Sequence, residues 1–281
     1  MMALYGLPGQ PPGVPVMGAP MPMPTEPKVE APGPKDKPMA KKNFQSLVAK
    51  IENQEGLQNY DSILATTDGI MVARGDLGME IPPEKVFLAQ KMMVRKANVH
   101  GKFVITATQM LESMITQSSP TRAEVSDVAN AVMDGTDAVM LSAETAIGKY
   151  PAQAVRTMAE VCVGAEKHET FGRAGNFRIN EAFTYADEAI AMAAMYLANH
   201  LEVKVIIALT ESGSTTLWMS RLRSDIPIYA FTRHIETKRR VSLYRGVYPE
   251  SFDVVYTKAN AVHQAAFDVL VSQGVLQVGD R

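Results

Sequence analysis

The chain has 281 residues, enough for one large or two ordinary domains, and its formal net charge is −2. A nearly neutral chain lacks the generally basic surface of nucleic-acid-binding proteins, so we predict no nucleic-acid partner. The only cysteine, Cys162, excludes an intramolecular disulfide and a multi-cysteine zinc site, which fits a reducing compartment.

The sequence carries no sign of a membrane segment or a secretory signal. No apolar run approaches the ~18–20 residues that span a bilayer, and the start lacks a basic stretch followed by an apolar core. We therefore predict a cytoplasmic protein without membrane association. Cys162 follows Val155 and Met158 at helical spacing, which favours a packed core thiol over a nucleophile.

Residues 1–43 are predicted to be a disordered, proline-rich tail. Eleven of the 17 prolines lie between Pro8 and Pro38, mixed with glycine and methionine. Such a segment cannot bury enough apolar surface to offset the entropy of ordering, so an extended, solvated chain is expected. A partner-docking role for Pro20–Pro24 is the alternative.

The stretch from Leu47 to Gly56 places a lysine and a carboxylate two residues apart. A short apolar run reaches Lys50 and Glu52 and then breaks into a polar segment. Side chains at positions i and i+2 of a strand point to the same face, so these two project together. A cation beside a hard oxygen ligand suits a phosphate or carboxylate bound through a divalent metal; the alternative is a surface ion pair.

Three more apolar strands follow, and helices separate them. The predicted strands are Gly69–Ala73, Phe103–Ala107 and Ala138–Ser142. The intervening helices are predicted to begin at Pro82–Glu84 and at the capping-box signature Thr121–Glu124, and another helix begins at Pro151. Continuous apolar strands separated by helices indicate a parallel sheet covered on both faces.

Polar side chains follow the end of each of these strands. They are Lys50, Glu52, Asp76, Thr108, Ser142 and Glu144. Ligand sites in parallel α/β folds gather at the carboxyl ends of the strands. Each residue taken singly has a structural explanation, and together they favour one site.

A second α/β unit is predicted after a break at residues 170–180. Its predicted elements are the helix Glu188–Leu197, the strands Val203–Leu209, Pro227–Phe231 and Ser251–Tyr256, and the helix Ala259–Ser272. The first of these strands runs into a polar loop of Thr210, Glu211, Ser212, Gly213, Ser214 and Thr215. Such a loop can hold a phosphate on backbone amides, and an ordinary N-cap loop is the alternative.

A basic cluster of His234, Lys238, Arg239 and Arg240 follows the second strand of this unit. We interpret it as a solvated helix face in preference to an anion site.

Five stretches, in order, resemble the signatures of the pyruvate kinase family. They are Lys50–Leu57, Met71–Gly78, Ala107–Met114, Pro120–Val132 and Met140–Thr145. Thr210–Gly213 and Tyr244–Gly246 look like the family's C-terminal domain, closest to a bacterial version. The resemblance covers roughly residues 44–281.

The resemblance implies an α/β chain that contains the second half of a (β/α)8 TIM-type barrel and an α/β three-layer C-terminal domain. The implied domains are the tail at 1–43, the partial barrel at 44–170 and an incomplete C-terminal domain at 171–281. The first four barrel strands and the family's inserted β-domain have no counterpart before Lys50. A half-barrel exposes apolar strand edges, so the family's homotetramer is not expected of this chain by itself.

The family interconverts phosphoenolpyruvate plus ADP with pyruvate plus ATP in glycolysis, using Mg²⁺ or Mn²⁺ and commonly K⁺. By its motif, Lys50 is implied to stabilise the transferring phosphoryl group and the enolate. Glu52 and Asp76 are implied to hold the divalent metal. Such a transfer depends mainly on positioning and charge neutralisation, which a lysine, two carboxylates and a metal supply.

The resemblance also implies substrate contacts at the later strand ends. Backbone amides around Gly75 and Asp76 are implied to receive the substrate carboxylate. Thr108 is implied to lie against the substrate's methylene end, and Ser142 to belong to the proton path that makes the methyl group.

Two functions remain open at this point. The first is pyruvate kinase with impaired activity as a 281-residue chain, since the half that holds the nucleotide phosphates and the K⁺ ligands has no counterpart. The second is a catalytically inactive, pyruvate-kinase-like interaction module in which the loop at 210–215 binds a phosphorylated effector.

Overall fold

A computed structural model describes residues 46–167, 183, 185–201, 203–222, 224–253 and 259–280. Two parallel sheets organise this part of the chain, one of four strands and one of three. The predicted tail at 1–43 and the predicted break at 170–180 both lie outside the described residues. Within the described ranges, no helix combines the length and the apolar character needed to cross a membrane.

The four-stranded sheet has the order β1-β2-β3-β4, and every neighbouring pair is parallel. Its strands are β1 (Val48–Ile51), β2 (Gly69–Ala73), β3 (Phe103–Ala107) and β4 (Ala138–Met140). The helices of this part are α1 (Gln54–Gln58), α2 (Tyr60–Thr66), α3 (Arg74–Glu80), α4 (Pro83–Val99), α5 (Arg122–Asp134), α6 (Ala143–Ala146) and α7 (Pro151–Glu166), with a 3-10 turn at Glu112–Ile115. The predicted parallel α/β architecture is confirmed.

The two faces of this sheet differ in how deeply they are buried. Ile70, Val72 and Val104 are inaccessible to solvent because they pack against α2 and α4. Met71 and Ile105 point to the opposite face and are only half-buried. The first face therefore forms a packed core with the helices, and the other face is less deeply buried at Met71 and Ile105.

The predicted capping box at the start of α5 is confirmed. The Thr121 hydroxyl accepts from the Glu124 amide, and the Glu124 carboxylate accepts from the Thr121 amide at 2.7 Å. The same carboxylate accepts from the amide and hydroxyl of Ser113, at 2.7 and 2.6 Å. Partial burial works to raise the pKa of Glu124, but the hydrogen bonds from Ser113 and Thr121 outweigh it and lower the pKa.

We expect Glu124→Gln to reduce the free energy of unfolding by about 1 kcal/mol at pH 7, the usual scale for a lost cap. A lowered folded-state pKa stabilises the protein above the unfolded pKa of about 4.3, and this contribution disappears as pH falls through the folded value. The difference between wild type and variant should therefore shrink below about pH 4. Urea unfolding from pH 7 to pH 3 measures this difference, with Glu112→Gln, a change to an exposed side chain of the 3-10 turn, as control. A difference that persists at low pH would contradict this origin.

The three-stranded sheet has the order β5-β6-β7, again parallel. Its elements are the strands β5 (Ile206–Leu209), β6 (Ile228–Thr232) and β7 (Val247–Ser251), and the helices α8 (Ala186–His200), α9 (Ser214–Ser220), α10 (Ile235–Val241) and α11 (Ala259–Ser272). The predicted helix at 259–272 is confirmed at both ends.

The strand predicted at Ser251–Tyr256 was wrong in its position. The observed strand β7 starts at Val247 and ends at Ser251, and residues 254–258 lie outside the described ranges. β7 contains Pro249, a residue that is uncommon in strands. Among the described strands, β7 lies at the edge of its sheet and pairs only with β6. A strand at the edge of a sheet tolerates proline because only one side needs ladder hydrogen bonds. The predicted strand at 203–209 is also shorter and begins at Ile206.

The two sheets are joined through α9. The ring of Trp218 lies against Gly101, which has φ of +61° and no room for a Cβ atom. Phe103 packs in one cluster with Met219 and Tyr244. Arg221, at the end of α9, is buried in an ion pair with Asp137, which directly precedes β4.

Candidate active site

Lys50 lies between two carboxylates at the carboxyl end of the four-stranded sheet. Its Nζ donates to Asp76 Oδ2 at 3.0 Å and forms an ion pair with Glu52. The contact with Glu52, followed by the hydrogen bond to Asp76, raises the pKa of Lys50, so the ammonium form is favoured. All three side chains are about half exposed, with 49%, 41% and 56% of the surface of Lys50, Glu52 and Asp76 accessible. The predicted cation and carboxylates are thus brought together.

The carboxylates of Glu52 and Asp76 have the chemistry of a magnesium site. Oε2 of Glu52 is shielded from solvent and faces the Lys50 ammonium, yet no described donor reaches it with hydrogen-bond geometry. The described residues contain no group of three or more His, Cys, Asp or Glu side chains arranged to hold a metal. Mg²⁺ is usually held by one or two carboxylates together with water and substrate oxygens, so two carboxylates fit this ion.

A cavity of about 400 Å³ opens beside these side chains. Lys50, Glu52, Asn53, Asp76, Met79 and Glu80 line it. A second cavity of about 410 Å³ lies between α4 and α5 and includes Arg74 and Phe87. None of the predicted site residues lines the second cavity, so the first is the candidate substrate space.

Gly75 connects the end of β2 to the segment that follows β3. The Gly75 amide donates to Thr108 Oγ1 at 2.7 Å, and a Cβ atom at Gly75 would lie only 3.3 Å from that oxygen. Glycine at this position therefore permits the close approach. The backbone amides around Gly75 and Asp76 were predicted to receive a substrate carboxylate, and the Gly75 amide donates to the Thr108 hydroxyl instead in this structure.

Thr108 and Gln109 adopt left-handed backbone conformations, with φ of 66° and 53°. Two consecutive non-glycine residues in this region are uncommon and strained, and such strain concentrates at functional sites. Arg74 holds the segment: its guanidinium donates to the carbonyls of Thr108 at 2.8 Å and Gln109 at 3.0 Å, and to Asp127 Oδ2 at 2.6 Å.

Arg74 was not among the predicted site residues. It is buried, with 7% of its surface accessible. Its partners on the strained segment lie 34 and 35 positions further along the chain. In the sequence, Arg74 is marked only by its position directly after an apolar strand, where a buried charge must find partners.

Ser142 lies at the start of α6, directly after β4, and is half-buried. Its amide donates to Glu144 Oε2 at 2.8 Å, and Glu144 Oε1 accepts from the Leu111 amide at 3.1 Å. Glu144 is 3% exposed. The structure thus ties the segment after β4 to the segment after β3.

The predicted effector loop connects β5 to α9. Thr210 and Gly213 are buried, Glu211 and Ser212 are exposed, and Ser214 and Thr215 are half-buried. Inside the loop, the Gly213 amide donates to Thr210 Oγ1 at 2.9 Å. Gly213 has φ of +84°, and a Cβ atom there would meet Val241 at 2.7 Å.

Two members of the basic cluster, His234 and Arg240, contact this loop. Arg233 forms an ion pair with Glu211, the His234 ring contacts the same carboxylate, and Arg240 Nη1 donates to the Ser212 carbonyl at 3.3 Å. The hydrogen bond with His234 is the largest contribution that lowers the pKa of Glu211. The ionised Glu211 offsets part of the positive charge. Within the cluster His234 and Arg239 are exposed, whereas Lys238 and Arg240 are half-buried.

Comparisons with known proteins match both halves of the described structure. The family model described as the pyruvate kinase barrel domain matches residues 38–155, and the model described as the pyruvate kinase alpha/beta domain matches residues 188–281. Pyruvate kinase II of Salmonella typhimurium is 51% identical over 83% of the chain and 49% of its own length. A pyruvate kinase of Haemophilus influenzae is 47% identical over the same shares of the two chains.

A solved structure shows the same arrangement. The crystal structure of a pyruvate kinase from Cryptosporidium parvum superimposes with a TM-score of 0.79 at 44% identity, over 84% of this chain and 48% of the other. The chain therefore spans about half the length of the relatives that it matches.

Proposed function

Because this chain belongs to the pyruvate kinase family, we propose that its site carries out phosphoryl transfer between phosphoenolpyruvate and ADP, which yields pyruvate and ATP. The observation that supports this most directly is the placement of Lys50 between Glu52 and Asp76 beside a cavity of about 400 Å³. A cation and two metal-binding carboxylates meet the main requirement of phosphoryl transfer, which is to neutralise the charge on the phosphoryl oxygens.

The proposed roles follow from the contacts. The Lys50 ammonium faces the transferring phosphoryl group and the enolate oxygen, both of which carry negative charge. Glu52 and Asp76 would hold a divalent ion, Mg²⁺ or Mn²⁺, which would supply positive charge that stabilises the substrate oxygens. Both carboxylates contact Lys50, so a bound ion would compete with the ammonium for them and leave it available to the substrate.

Thr108 and Ser142 are proposed to act at the substrate's other end. The Thr108 hydroxyl accepts a hydrogen bond from the amide of Gly75, the residue directly before Asp76, at the end of β2. Ser142 follows β4 and faces the same end of the sheet as Thr108. We assign Thr108 to contact with the methylene carbon and Ser142 to the path of the proton that converts the enolate to pyruvate.

The 281-residue polypeptide by itself is proposed to perform the pyruvate-side chemistry more readily than the full reaction. Its relatives are about twice as long, and K⁺, which the family commonly uses, has no assigned ligand among the described residues. Solvent exchange of the pyruvate methyl protons needs the metal, a cation and a proton path, but no nucleotide. Methyl-proton exchange and the full reaction with ADP can therefore be tested separately.

The experiment has two arms on the purified full chain with Mg²⁺. Proton NMR in D2O follows loss of the pyruvate methyl signal, and a lactate dehydrogenase-coupled assay follows the complete reaction. We expect metal-dependent exchange and little or no coupled turnover. Absence of metal-dependent exchange would reject the proposed chemistry for this chain. Robust coupled turnover would reject only the proposed impairment.

A second candidate function is an effector-binding module without catalysis. The supporting observation is the loop at 210–215, where Arg233, His234 and Arg240 surround the exposed residues Glu211 and Ser212. Arginine and histidine beside backbone amides suit a phosphorylated small molecule. This function does not require the site at Lys50.

We expect glucose 6-phosphate or AMP to raise the melting temperature, because a ligand that binds only the native state stabilises it. Ser212→Asp adds a negative charge to the loop and should remove the shift. Ser118→Asp adds the same charge at an exposed position in the part of the chain that contains the four-stranded sheet, and this variant should retain the shift in melting temperature. No shift in the parent chain would reject this candidate.

A further inference from the structure

We propose that Glu144 is a positioning residue that fixes the segments carrying Thr108 and Ser142 relative to each other. The inference rests on the proposed function, because it gives a role to a side chain that does not itself touch the substrate. Glu144 lies in the first turn of α6, two residues after Ser142, and 3% of its surface is accessible.

The carboxylate of Glu144 bridges two loops with its two oxygens. Oε2 accepts from the Ser142 amide at 2.8 Å, and Oε1 accepts from the Leu111 amide at 3.1 Å. These donors lie on different segments, one after β4 and one after β3. Hydrogen bonds to a carboxylate are stronger than those between neutral groups. The bond from Leu111 is buried, where water does not compete, and the bond from Ser142 is partly buried.

The segment that ends at Leu111 is strained and needs support from more than one side. Thr108 and Gln109 have positive φ, and Arg74 holds their carbonyl oxygens from the side of β2. Leu111 and Met110 are fully buried. Glu144 supplies the fixing contact on the opposite side, where the segment faces β4. Without it, the Leu111 amide loses a charged acceptor in a place that water does not reach.

A continuous series of contacts then runs from the cation to the proposed proton path. Lys50 contacts Asp76, the adjacent Gly75 amide holds the Thr108 hydroxyl, and Glu144 connects Leu111 with Ser142. Among the described residues of the site, Glu144 is the only member of this series that joins the segment after β3 to the segment after β4. A second tie, the Lys149 amide to the Ile115 carbonyl at 2.9 Å, lies beyond the site.

The test uses the full chain with Glu144→Gln, which keeps the shape but replaces one acceptor oxygen with an NH2 group that cannot accept. In ¹⁵N-labelled protein we expect the amide resonances of Leu111 and Ser142 to move upfield and those of Thr108 and Gln109 to shift with them. The kcat for exchange of the pyruvate methyl protons should fall about 100-fold, as for a misplacement of about 1 Å, whereas KM should change less than about threefold. Mn²⁺ affinity should not change, because Glu52 and Asp76 are untouched.

The matched control is Glu124→Gln, which removes a carboxylate that accepts four hydrogen bonds, from Ser113 and Thr121, and contacts neither the Leu111 amide nor the Ser142 amide. It should reduce stability while leaving the Thr108 and Ser142 amides and the exchange rate unchanged. Glu144→Asp is the second variant if the first fails to fold. It retains the charge but is one methylene shorter and cannot reach both amides, so its kcat should also fall.

Unshifted Thr108 and Gln109 amides in a folded Glu144 variant would overturn the proposal, as would an exchange rate within twofold of wild type. If the wild-type chain shows no exchange at all, the proposed function fails. The amide resonances of Thr108 and Gln109 then decide the role of Glu144 on their own.

Discussion

Lys50→Met is expected to lower the rate of pyruvate methyl-proton exchange by about 10²–10³-fold, the usual cost of removing a preorganised group that stabilises developing negative charge. Methionine keeps the unbranched shape of the side chain and removes the ammonium. The enolate oxygen then loses its cation, whereas both metal ligands remain. The defect should therefore appear in kcat and not in metal binding.

The direction of the change in Mn²⁺ affinity distinguishes loss of the Lys50 ammonium from general damage to the site. Lys50 contacts both Glu52 and Asp76, so its ammonium competes with a divalent ion for the same oxygens. Removing it should leave Mn²⁺ affinity equal or higher, measured by the electron paramagnetic resonance signal of free Mn²⁺. Lys96→Met serves as control. It breaks the ion pair at 2.7 Å between Lys96 on α4 and Asp61 on α2, and it should leave the exchange rate unchanged. Loss of Mn²⁺ binding together with exchange would contradict the assignment.

The strands of the four-stranded sheet were predictable because their signals are local. Gly69–Ala73 and Phe103–Ala107 are short apolar runs bounded by polar or glycine residues, and the observed bounds agree with the predicted ones. The capping box at Thr121 is equally local, since both partners lie within one turn of helix. The proximity of Lys50, Glu52 and Asp76 followed from parallel strands, whose carboxyl ends meet at one edge.

The support of the site could not be predicted in the same way, because its contacts connect distant positions. Glu144 meets Leu111 across 33 positions, and Arg74 meets Thr108 across 34. Thr108 and Gln109 carry no local signal for positive φ, which in most sequences is marked by glycine. These conformations exist because buried partners hold them, and the partners become neighbours only after the sheet has formed. The same limit applies to β7, which contains Pro249, a residue uncommon in strands, and is paired with its neighbour β6.

Arg221→Met is expected to reduce the free energy of unfolding by about 3–5 kcal/mol, the usual cost of breaking a buried ion pair by removing one partner. The side chains of Arg221 and Asp137 are 2% and 0% exposed. The guanidinium donates to Asp137, to Asn98 Oδ1 at 2.6 Å and to the Lys102 carbonyl at 3.0 Å. Methionine fills much of the space but leaves the Asp137 carboxylate buried without its cation.

Lys204→Met is the matched control, because Lys204 forms an exposed ion pair with Asp280 at 3.0 Å. Exposed pairs contribute about 0–1 kcal/mol, so urea unfolding should separate the two variants clearly. A loss in Arg221→Met no larger than the control would show that the pair does not hold the two sheets together.

The double variant Arg221→Met with Asp137→Leu tests whether the loss comes from the abandoned carboxylate. Removing both charges should recover part of the stability, since a buried pair can often be replaced by apolar groups at little cost. Recovery should remain incomplete, because Asp137 also accepts from the amides of Val104 at 2.8 Å and Arg245 at 3.0 Å. Those two donors lie on β3 and on the turn before β7, so Asp137 joins both sheets through its backbone contacts as well as through Arg221. A double variant no more stable than Arg221→Met would instead assign the whole loss to the contacts of the guanidinium with Asn98 and Lys102.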